Sequence, residues 1–362
     1  MMENIRKAAE IGQSIWFDNI ERNMLGDDGK VAQMIYRDGL LGITSNPAIF
    51  EKAIAGGEEY LPVIKDEANH DLSARELFFT LAIEDIRNAC DLFMGTYEKT
   101  QTRDGYVSLE VSPDLAHDAN STIIEAKALW EEVNRPNLMI KVPATKAGIT
   151  AIEALIAEGI NVNVTLIFSV KRYKAVLEAF LKGLETRVKA GLAIDHIASV
   201  ASFFVSRIDS VVDEKVAEIA PHLKGHIAID NAKMAYGHYR FEMDRDRSKA
   251  LLKAGMQPQR LLWASTGVKD PAYPETLYVH KLMGADTVNT IPPKTYQAFL
   301  VDSITPYALI EDDMDLAKAR LDELSTLGID LDEICKALET AGVEQFVAAF
   351  DSLLSTIENA RV

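Results

Sequence analysis

One lysine stands out in the sequence because it closes a run of apolar residues. Lys141 follows Asn-Leu-Met-Ile and precedes Val-Pro. Burial on such a strand favours the uncharged form of the amine, and an uncharged lysine is a nucleophile that can form an imine with a ketone. The protonated imine draws electrons from the neighbouring carbon–carbon bond and allows that bond to break. Lys141 can instead extend its ammonium group to solvent or pair with a carboxylate, and its position alone favours neither role.

Imine chemistry needs partners, and polar residues at the ends of other apolar runs can supply them. The reaction requires a carboxylate for the substrate hydroxyl, a second acid–base group that handles water, and donors that hold the sugar chain. Asp18 follows Ser-Ile-Trp-Phe and can be the first carboxylate, while Glu110 and Thr165 can handle the water. The residues available to hold the sugar are Asn46, Asn163 and Ser202, and further polar strand ends lie at Thr44, Arg207 and Ser265.

These residues must be brought together, and the chain predicts about eight strand–helix units that can do so. Short apolar or β-branched runs alternate with longer segments of helical periodicity. The predicted strands are residues 14–17, 40–43, 106–111, 138–142, 161–166, 197–205, 260–264 and 287–290. Eight such units most economically close into a (β/α)8 barrel, with an open doubly wound sheet as the alternative. In a barrel, reactive groups lie at the C-terminal ends of the strands, where these polar residues are placed.

The remaining residues are predicted to be helical additions to one barrel domain that spans residues 1–362. Its core covers about residues 12–304, and a helical extension covers about residues 305–362. An N-terminal helix is expected at residues 4–12, and residues 210–255 are long for a plain connection and are compatible with helices. The C-terminal tail is predicted to form three helices, broken at Gly328 and Gly342.

Composition excludes several classes of protein. The chain has 38 Lys and Arg residues against 55 Asp and Glu residues, a net charge of -17, which repels phosphate backbones and anionic lipid surfaces. We therefore expect no nucleic-acid and no membrane partner. The two cysteines, Cys90 and Cys335, lie far apart, and no signal peptide is evident, so the cytoplasm is expected. A monomer and a homodimer fit the sequence equally.

The sequence also lacks the patterns of common cofactor sites. Its seven histidines form no HExxH-type arrangement, and no GxGxxG or Walker A pattern follows a predicted strand. We therefore expect no metal site and no dinucleotide or nucleotide cofactor.

Four segments together resemble the transaldolases, which are lysine-dependent transferases related to class I aldolases. They read GITSNPAIFEKAI, YVSLEVSPDLAHD, LMIKVPATKAGITAIEALIAEGINVNVTLIFS and ASFFVSRID. The likeness spans roughly residues 12–300 and is most specific between Lys141 and Ser169. The segment LLWASTGVKDPAYPETLYV and the overall length are similar to the bacterial and plant branch with C-terminal helices.

This resemblance implies a role for each matched residue. Lys141 would form the imine, Asp18 would act on the substrate hydroxyl, and Glu110 with Thr165 would hold the water used in imine formation. Asn46 and Asn163 would bind donor hydroxyls. The other implied substrate-binding residues are Thr44, Ser202, Phe204, Ser265, Arg207, which would grip the phosphate, and Lys269. Lys269 is the nearest cation where shorter family members carry a second phosphate-binding arginine.

The implied reaction transfers a dihydroxyacetone unit between sugar phosphates in the pentose phosphate pathway, with no cofactor. Sedoheptulose 7-phosphate and glyceraldehyde 3-phosphate would give erythrose 4-phosphate and fructose 6-phosphate. One alternative is a fructose 6-phosphate aldolase, which releases free dihydroxyacetone, and another is a non-catalytic sugar-phosphate-binding barrel. A glycosidase that uses Asp18 and Glu110 as paired carboxylates is a third alternative, but it leaves Lys141 and Arg207 without a role.

Overall fold

The predicted apolar runs form eight parallel strands that close into a barrel in a computed structural model of the chain, in which residues 3–361 are described. The strands are β1 Gln13–Phe17, β2 Gly42–Ile43, β3 Tyr106–Glu110, β4 Leu138–Pro143, β5 Val162–Ile167, β6 Ser199–Phe204, β7 Arg260–Ala264 and β8 Thr287–Ile291. Each strand pairs with its sequence neighbours, and β1 also pairs with β8, so the sheet has no free edge. The (β/α)8 prediction is confirmed, and the open sheet is excluded.

Helices surround the barrel and connect its strands. They are α1 Asn4–Ile11, α2 Lys30–Gln33, α3 Pro47–Gly56, α4 Leu61–Ile64, α5 Ala74–Lys99, α6 Ala119–Val133, α7 Lys146–Glu158, α8 Val170–Lys189, α9 Ser206–Val216, α10 Ile227–Met243, α11 Asp246–Lys253, α12 Leu277–Lys281, α13 Pro293–Val301, α14 Met314–Thr326 and α15 Leu331–Arg361. Across residues 3–361, no helix combines the length and the apolar character needed to cross a membrane.

Local sequence determines where the helices begin and which face they bury. After β4 and β5, the side chains of Thr145 and Ser169 accept hydrogen bonds from backbone N–H groups of the first turns of α7 and α8, as N-cap residues do. Along α8, buried residues recur at intervals of three and four, the spacing of one helix face. They are Tyr173, Val176, Leu177, Phe180 and Leu184. The strand residues themselves are buried along their whole length.

The C-terminal tail forms two helices, so the prediction of three is wrong at one of its two breaks. Gly328 lies between α14 and α15 with φ 78°, a conformation that favours glycine. Gly342, however, lies inside α15. A Cβ at Gly342 would lie 2.9 Å from Leu166 Cδ2, so this glycine allows the helix to approach the end of β5. The division into a core of residues 12–304 and an extension stays a prediction.

A buried ionic network closes the opposite, N-terminal end of the barrel. Arg260 donates hydrogen bonds to Asp104 Oδ1 at 2.9 Å and to Ser14 Oγ at 2.7 Å. Asp104 also accepts hydrogen bonds from Ser14 Oγ at 2.8 Å and from Trp16 Nε1 at 3.1 Å. Ser14 and Trp16 belong to β1 and Arg260 to β7, and Asp104 lies two residues before β3. The network therefore ties together strands that are not neighbours in the sheet.

Arg260→Met should destabilise the fold without changing any residue at the C-terminal ends of the strands. Removing one partner of a buried ion pair leaves Asp104 with an uncompensated charge, and the unfolding free energy should fall by about 3–5 kcal/mol. Urea denaturation measures the change. Arg103→Met is the control, because Arg103 forms an ion pair with Asp286 in which both side chains are exposed, and its loss should cost less than about 1 kcal/mol. Equal effects of the two substitutions would contradict the assignment.

Candidate active site

The C-terminal ends of the strands surround a cavity that collects almost all of the predicted site residues. Its lining includes Asp18, Thr44, Asn46, Lys141, Thr165, Ser202, Phe204, Arg207, Ser265 and Lys269. Two predicted residues, Glu110 and Asn163, do not line this cavity. The rule that places reactive groups at strand ends therefore brings together residues from distant parts of the chain.

Lys141 is buried at the end of β4 and makes two polar contacts. Its Nζ lies 3.5 Å from Glu110 Oε2 and donates a hydrogen bond to the Ser45 carbonyl oxygen at 3.0 Å. The pair forms because β3 and β4 align with Glu110 opposite Lys141. The lysine side chain is only 6% exposed, so it does not extend into solvent. It pairs with a carboxylate, and that carboxylate is the nearest base that can remove its proton.

Glu110 has the electrostatics of an acid–base group. Burial raises the pKa of its carboxyl group from 4.5 to about 7, and the positive charge of Lys141 offsets only part of this effect. A carboxyl group with a pKa near neutrality is present in both protonation states and can give or take a proton. The position of Glu110 beside Lys141, outside the cavity lining, therefore suits proton transfer to and from the lysine.

Asp18 directly follows β1 and is held by a chain of hydroxyl groups. Thr44 Oγ1 donates a hydrogen bond to Asp18 Oδ1 at 2.6 Å and lies 2.6 Å from Thr290 Oγ1. Because the Thr44 hydroxyl has one proton, Thr290 is the donor in the second contact. Burial raises the pKa of Asp18, while the charge of Lys141 and the bond from Thr44 act in the opposite direction.

Two polar groups in the lining are free to bind a ligand. Asn46 caps α3 with its Oδ1, which accepts a hydrogen bond from Ile49 N at 3.0 Å, and its NH2 group donates to no residue in the range 3–361. Thr165 Oγ1 is buried and has no hydrogen-bond partner within that range. Buried polar atoms are normally satisfied by protein, water or ligand, so both groups are available to water or substrate.

Asn163 does not line the cavity, and its predicted role in binding a donor hydroxyl stays a prediction. Its Nδ2 donates to Ser108 Oγ at 3.0 Å, and its Oδ1 accepts from Ser202 Oγ at 2.7 Å. The amide is therefore engaged on both sides. Its effect in this structure is to orient Ser202, which does line the cavity.

The cavity lining also contains an arginine that has no counter-ion among residues 3–361. Arg207, at the start of α9, lies with its guanidinium carbon 5.3 Å from the centre of the Phe204 ring and donates to Gln345 Oε1 at 2.9 Å. It forms no ion pair with any carboxylate of residues 3–361, and burial lowers its pKa. An arginine of this kind can bind an anion through its remaining N–H groups.

The loop after β7 adds a second cation. Ser265 begins it in a left-handed conformation, with φ 53°, and its hydroxyl lies 3.0 Å from Ser206 Oγ. The same loop brings Gly267 and Lys269 to the cavity. Lys269 is exposed and makes no ion pair within the described chain, so its ammonium group can reach an anion near Arg207.

Sequence reasoning missed several lining residues, of which Thr290 contacts Thr44 and Phe346 faces Lys141. Thr290 ends the predicted strand 287–290, so the same strand-end rule could have identified it. Phe346 lies on α15, with its ring centre 5.9 Å from Lys141 Nζ, and no strand pattern indicates it. The other missed lining residues are Ala264, Gly267 and Pro292.

The assembled groups define what the site can do. They are a buried amine, two carboxyl groups with raised pKa values, several hydroxyl and amide donors, and two cations at one side. No group of three or more His, Cys, Asp or Glu side chains could hold a metal ion in the described part of the chain. The arrangement suits covalent catalysis by an amine on the carbonyl group of a phosphorylated sugar.

Comparison with known proteins agrees with this chemistry. Residues 15–357 match the family described as Transaldolase/Fructose-6-phosphate aldolase. A transaldolase of Parafrankia sp. (strain EAN1pec) is 44% identical over 99% of this chain and 98% of its own length. A transaldolase of Thermobifida fusca (strain YX) is 44% identical over 98% of this chain and 97% of its own. The resemblance found in the motifs is confirmed, and the chain belongs to the Transaldolase/Fructose-6-phosphate aldolase family.

Proposed function

We propose that this chain transfers a dihydroxyacetone unit from a ketose phosphate to an aldose phosphate through an imine on Lys141. Sedoheptulose 7-phosphate and glyceraldehyde 3-phosphate would give erythrose 4-phosphate and fructose 6-phosphate. The observation that carries the proposal is the buried Lys141 amine, 3.5 Å from the Glu110 carboxyl group, in a cavity it shares with Asp18.

Imine formation requires Lys141 to lose a proton and the substrate carbonyl oxygen to leave as water. Glu110 takes the ammonium proton, and the free amine attacks the ketone carbon. The resulting amino alcohol loses its hydroxyl group as water when Glu110 returns the proton. The free hydroxyl of Thr165 holds this water beside the amine. A carboxyl pKa of about 7 allows Glu110 to serve in both directions.

Carbon–carbon cleavage then needs a base on the other side of the substrate. Asp18 accepts the proton of the hydroxyl group on the second carbon from the imine carbon, and the bond between that carbon and the carbon next to the imine breaks. The first aldose leaves with a new carbonyl group. The electron pair of the broken bond forms a carbon–carbon double bond to the former imine carbon, whose π pair moves to nitrogen, and the product is an enamine. The acceptor aldehyde enters, the enamine carbon attacks it, and Asp18 returns the proton to the new alkoxide. Water hydrolyses the last imine and frees Lys141.

The phosphate group of each sugar binds at the cationic side of the cavity. Arg207 supplies a planar donor group, and Lys269 supplies a point charge that can adapt to sugars of different length. Asn46 donates to a hydroxyl group of the dihydroxyacetone unit, and Ser202, whose proton is donated to Asn163, accepts a hydrogen bond from another. Cytoplasmic location and a monomeric or homodimeric state stay predictions from the sequence.

Reductive trapping tests the nucleophile. Borohydride added with fructose 6-phosphate should convert the imine to a stable secondary amine on Lys141, and peptide mapping by mass spectrometry locates it. Lys141→Ala should show neither adduct nor transfer activity, while Lys146→Ala, a change at an exposed lysine of α7, should retain both. An adduct on another lysine, or activity in Lys141→Ala, would refute the proposal. Release of free dihydroxyacetone as fast as its transfer would instead indicate an aldolase.

Asp18→Asn should separate imine formation from bond cleavage. The amide can no longer accept the hydroxyl proton, so turnover should fall by about 10²–10⁴-fold, but Lys141 should still condense with the donor. Trapping should then yield mainly the adduct of the whole six-carbon donor, whereas the wild type also yields the three-carbon adduct. Intact mass distinguishes the two. A three-carbon adduct in the variant at the wild-type rate would assign cleavage to another base.

Glu110→Gln should change how stability depends on pH. Between its ordinary pKa of 4.5 and its folded value of about 7, the folded chain keeps a proton that the unfolded chain releases. The contribution of Glu110 is therefore complete below the lower value and is lost as the pH rises through the higher one. Relative to the variant, the wild type should lose about 3 kcal/mol of unfolding free energy from about pH 4 to about pH 8.

Urea denaturation across this pH range measures the effect. Glu98→Gln, at an exposed position of α5, is the control and should give no such trend. A constant difference between the wild type and Glu110→Gln would show that Glu110 titrates normally.

A further inference from the structure

The C-terminal helix α15 contributes a buried aromatic side chain to the site. Phe346 is 7% exposed, lines the cavity and presents its ring with the centre 5.9 Å from Lys141 Nζ. This separation lies within the range at which a cation is attracted to the face of an aromatic ring. No other aromatic ring of the described chain has such a contact with Lys141.

Contacts along α15 hold this ring in place before any substrate arrives. One residue before Phe346, the Gln345 side chain accepts a hydrogen bond from Arg207 at 2.9 Å. Two turns earlier, Glu339 accepts two hydrogen bonds from Arg172, at 2.8 and 2.9 Å. Between them, Gly342 packs against Leu166 at a distance that leaves no room for a side chain. These three contacts, all within the seven residues before Phe346, anchor this part of α15 to the barrel.

We propose that Phe346 is a catalytic residue whose ring face stabilises the positively charged imine nitrogen on Lys141. This inference rests on the proposed function, because it requires the imine to form. It assigns to a residue of the C-terminal helix the stabilisation of a positive charge that forms during the reaction.

The imine depends on the ring because its nitrogen has fewer N–H groups than the ammonium group of Lys141. The ammonium form of Lys141 has three donors and is stabilised by Ser45 and Glu110. The protonated imine keeps only one N–H group and spreads its charge onto the adjoining carbon. It therefore loses hydrogen bonds that the ammonium group makes, whereas attraction to a ring face needs no proton. Relative to the uncharged amine from which it forms, the charged imine is therefore stabilised by the ring.

A second role for the ring, as a simple cover that excludes water, must be separated from this one. Phe346→Leu keeps an apolar side chain of similar size but removes the π face. Replacing Phe346 by phenylalanines that carry increasing numbers of ring fluorines keeps the shape and withdraws electron density from the face. A cover tolerates both changes, whereas an electrostatic role does not.

The matched control is Phe350→Leu, one turn further along α15. Phe350 is also buried, at 2% exposure, packs edge-on against Phe78 at 5.5 Å between ring centres and lies below the Arg75 guanidinium at 5.3 Å. It does not line the cavity that holds Lys141, although it borders a smaller one with Glu110 and Ser45. Its substitution reproduces the loss of helix packing and of an aromatic ring near the site without removing the ring that faces the amine.

The experiment measures the fraction of enzyme held as the imine. Enzyme is equilibrated with graded fructose 6-phosphate, quenched with excess borohydride and analysed by intact mass, with turnover and its KM measured in parallel. Phe346→Leu should require about threefold to thirtyfold more donor for half-maximal trapping, and the fluorinated series should decline in steps. Phe350→Leu should match the wild type in the donor concentration needed.

Each outcome has a defined meaning. Wild-type trapping by Phe346→Leu and by the fluorinated series would overturn the proposal for Phe346 and leave the imine mechanism intact. An equal shift in Phe350→Leu would assign the effect to packing and would also overturn it. Absence of any adduct in the wild type would instead be a failure of the proposed function itself.

Discussion

The buried contact between the Lys141 amine and the Glu110 carboxyl group is the constraint around which the site is arranged. In a medium of low polarity, neither charge is stable without the other, so a proton shared between the two groups costs less than two isolated ions. Burial raises the pKa of Glu110 to about 7, and the neighbouring charge of Lys141 offsets only part of that rise. In the proposed mechanism, Glu110 removes the proton of Lys141 across this contact before the amine attacks the ketone. The alignment of β3 with β4 fixes the two residues opposite each other, so barrel closure and chemistry depend on the same strand register.

The barrel separates the groups that hold it together from those that react. At the N-terminal ends of the strands, Arg260 and Asp104 form a fully engaged network, in which the arginine donates to the carboxylate and to Ser14. At the C-terminal ends, Arg207 has a neutral partner and no carboxylate, and Thr165 Oγ1 has no partner within the described chain. Polar groups whose hydrogen bonds are made within the chain stabilise the fold, whereas polar groups that lack partners are available to a ligand. The two ends of one sheet thus differ in how completely their polar groups are satisfied.

The sequence predicted the strands and most of the site because both follow from local patterns. An apolar run that ends in a polar residue marks a strand and its reactive end, which identified Asp18 and Lys141 and could also have identified Thr290. This pattern does not show how deep in the barrel each polar side chain of a strand lies. Asn163 and Thr165 point to the same face, but with a rise of about 3.3 Å per residue Asn163 lies deeper, behind Ser202. Phe346 was beyond reach, because its role depends on how α15 docks across the barrel. The predicted helix break at Gly342 was wrong because of the same docking: this glycine allows α15 to pack closely against Leu166 and does not end a helix.

A crystal structure of the protein soaked with fructose 6-phosphate tests the central claim most directly. The account predicts continuous electron density from Lys141 Nζ to the second carbon of the donor, with Asp18 beside the hydroxyl group whose proton it removes and the phosphate between Arg207 and Lys269. A donor bound in the cavity with its density ending short of Nζ, or a donor bound elsewhere on the molecule, would contradict it.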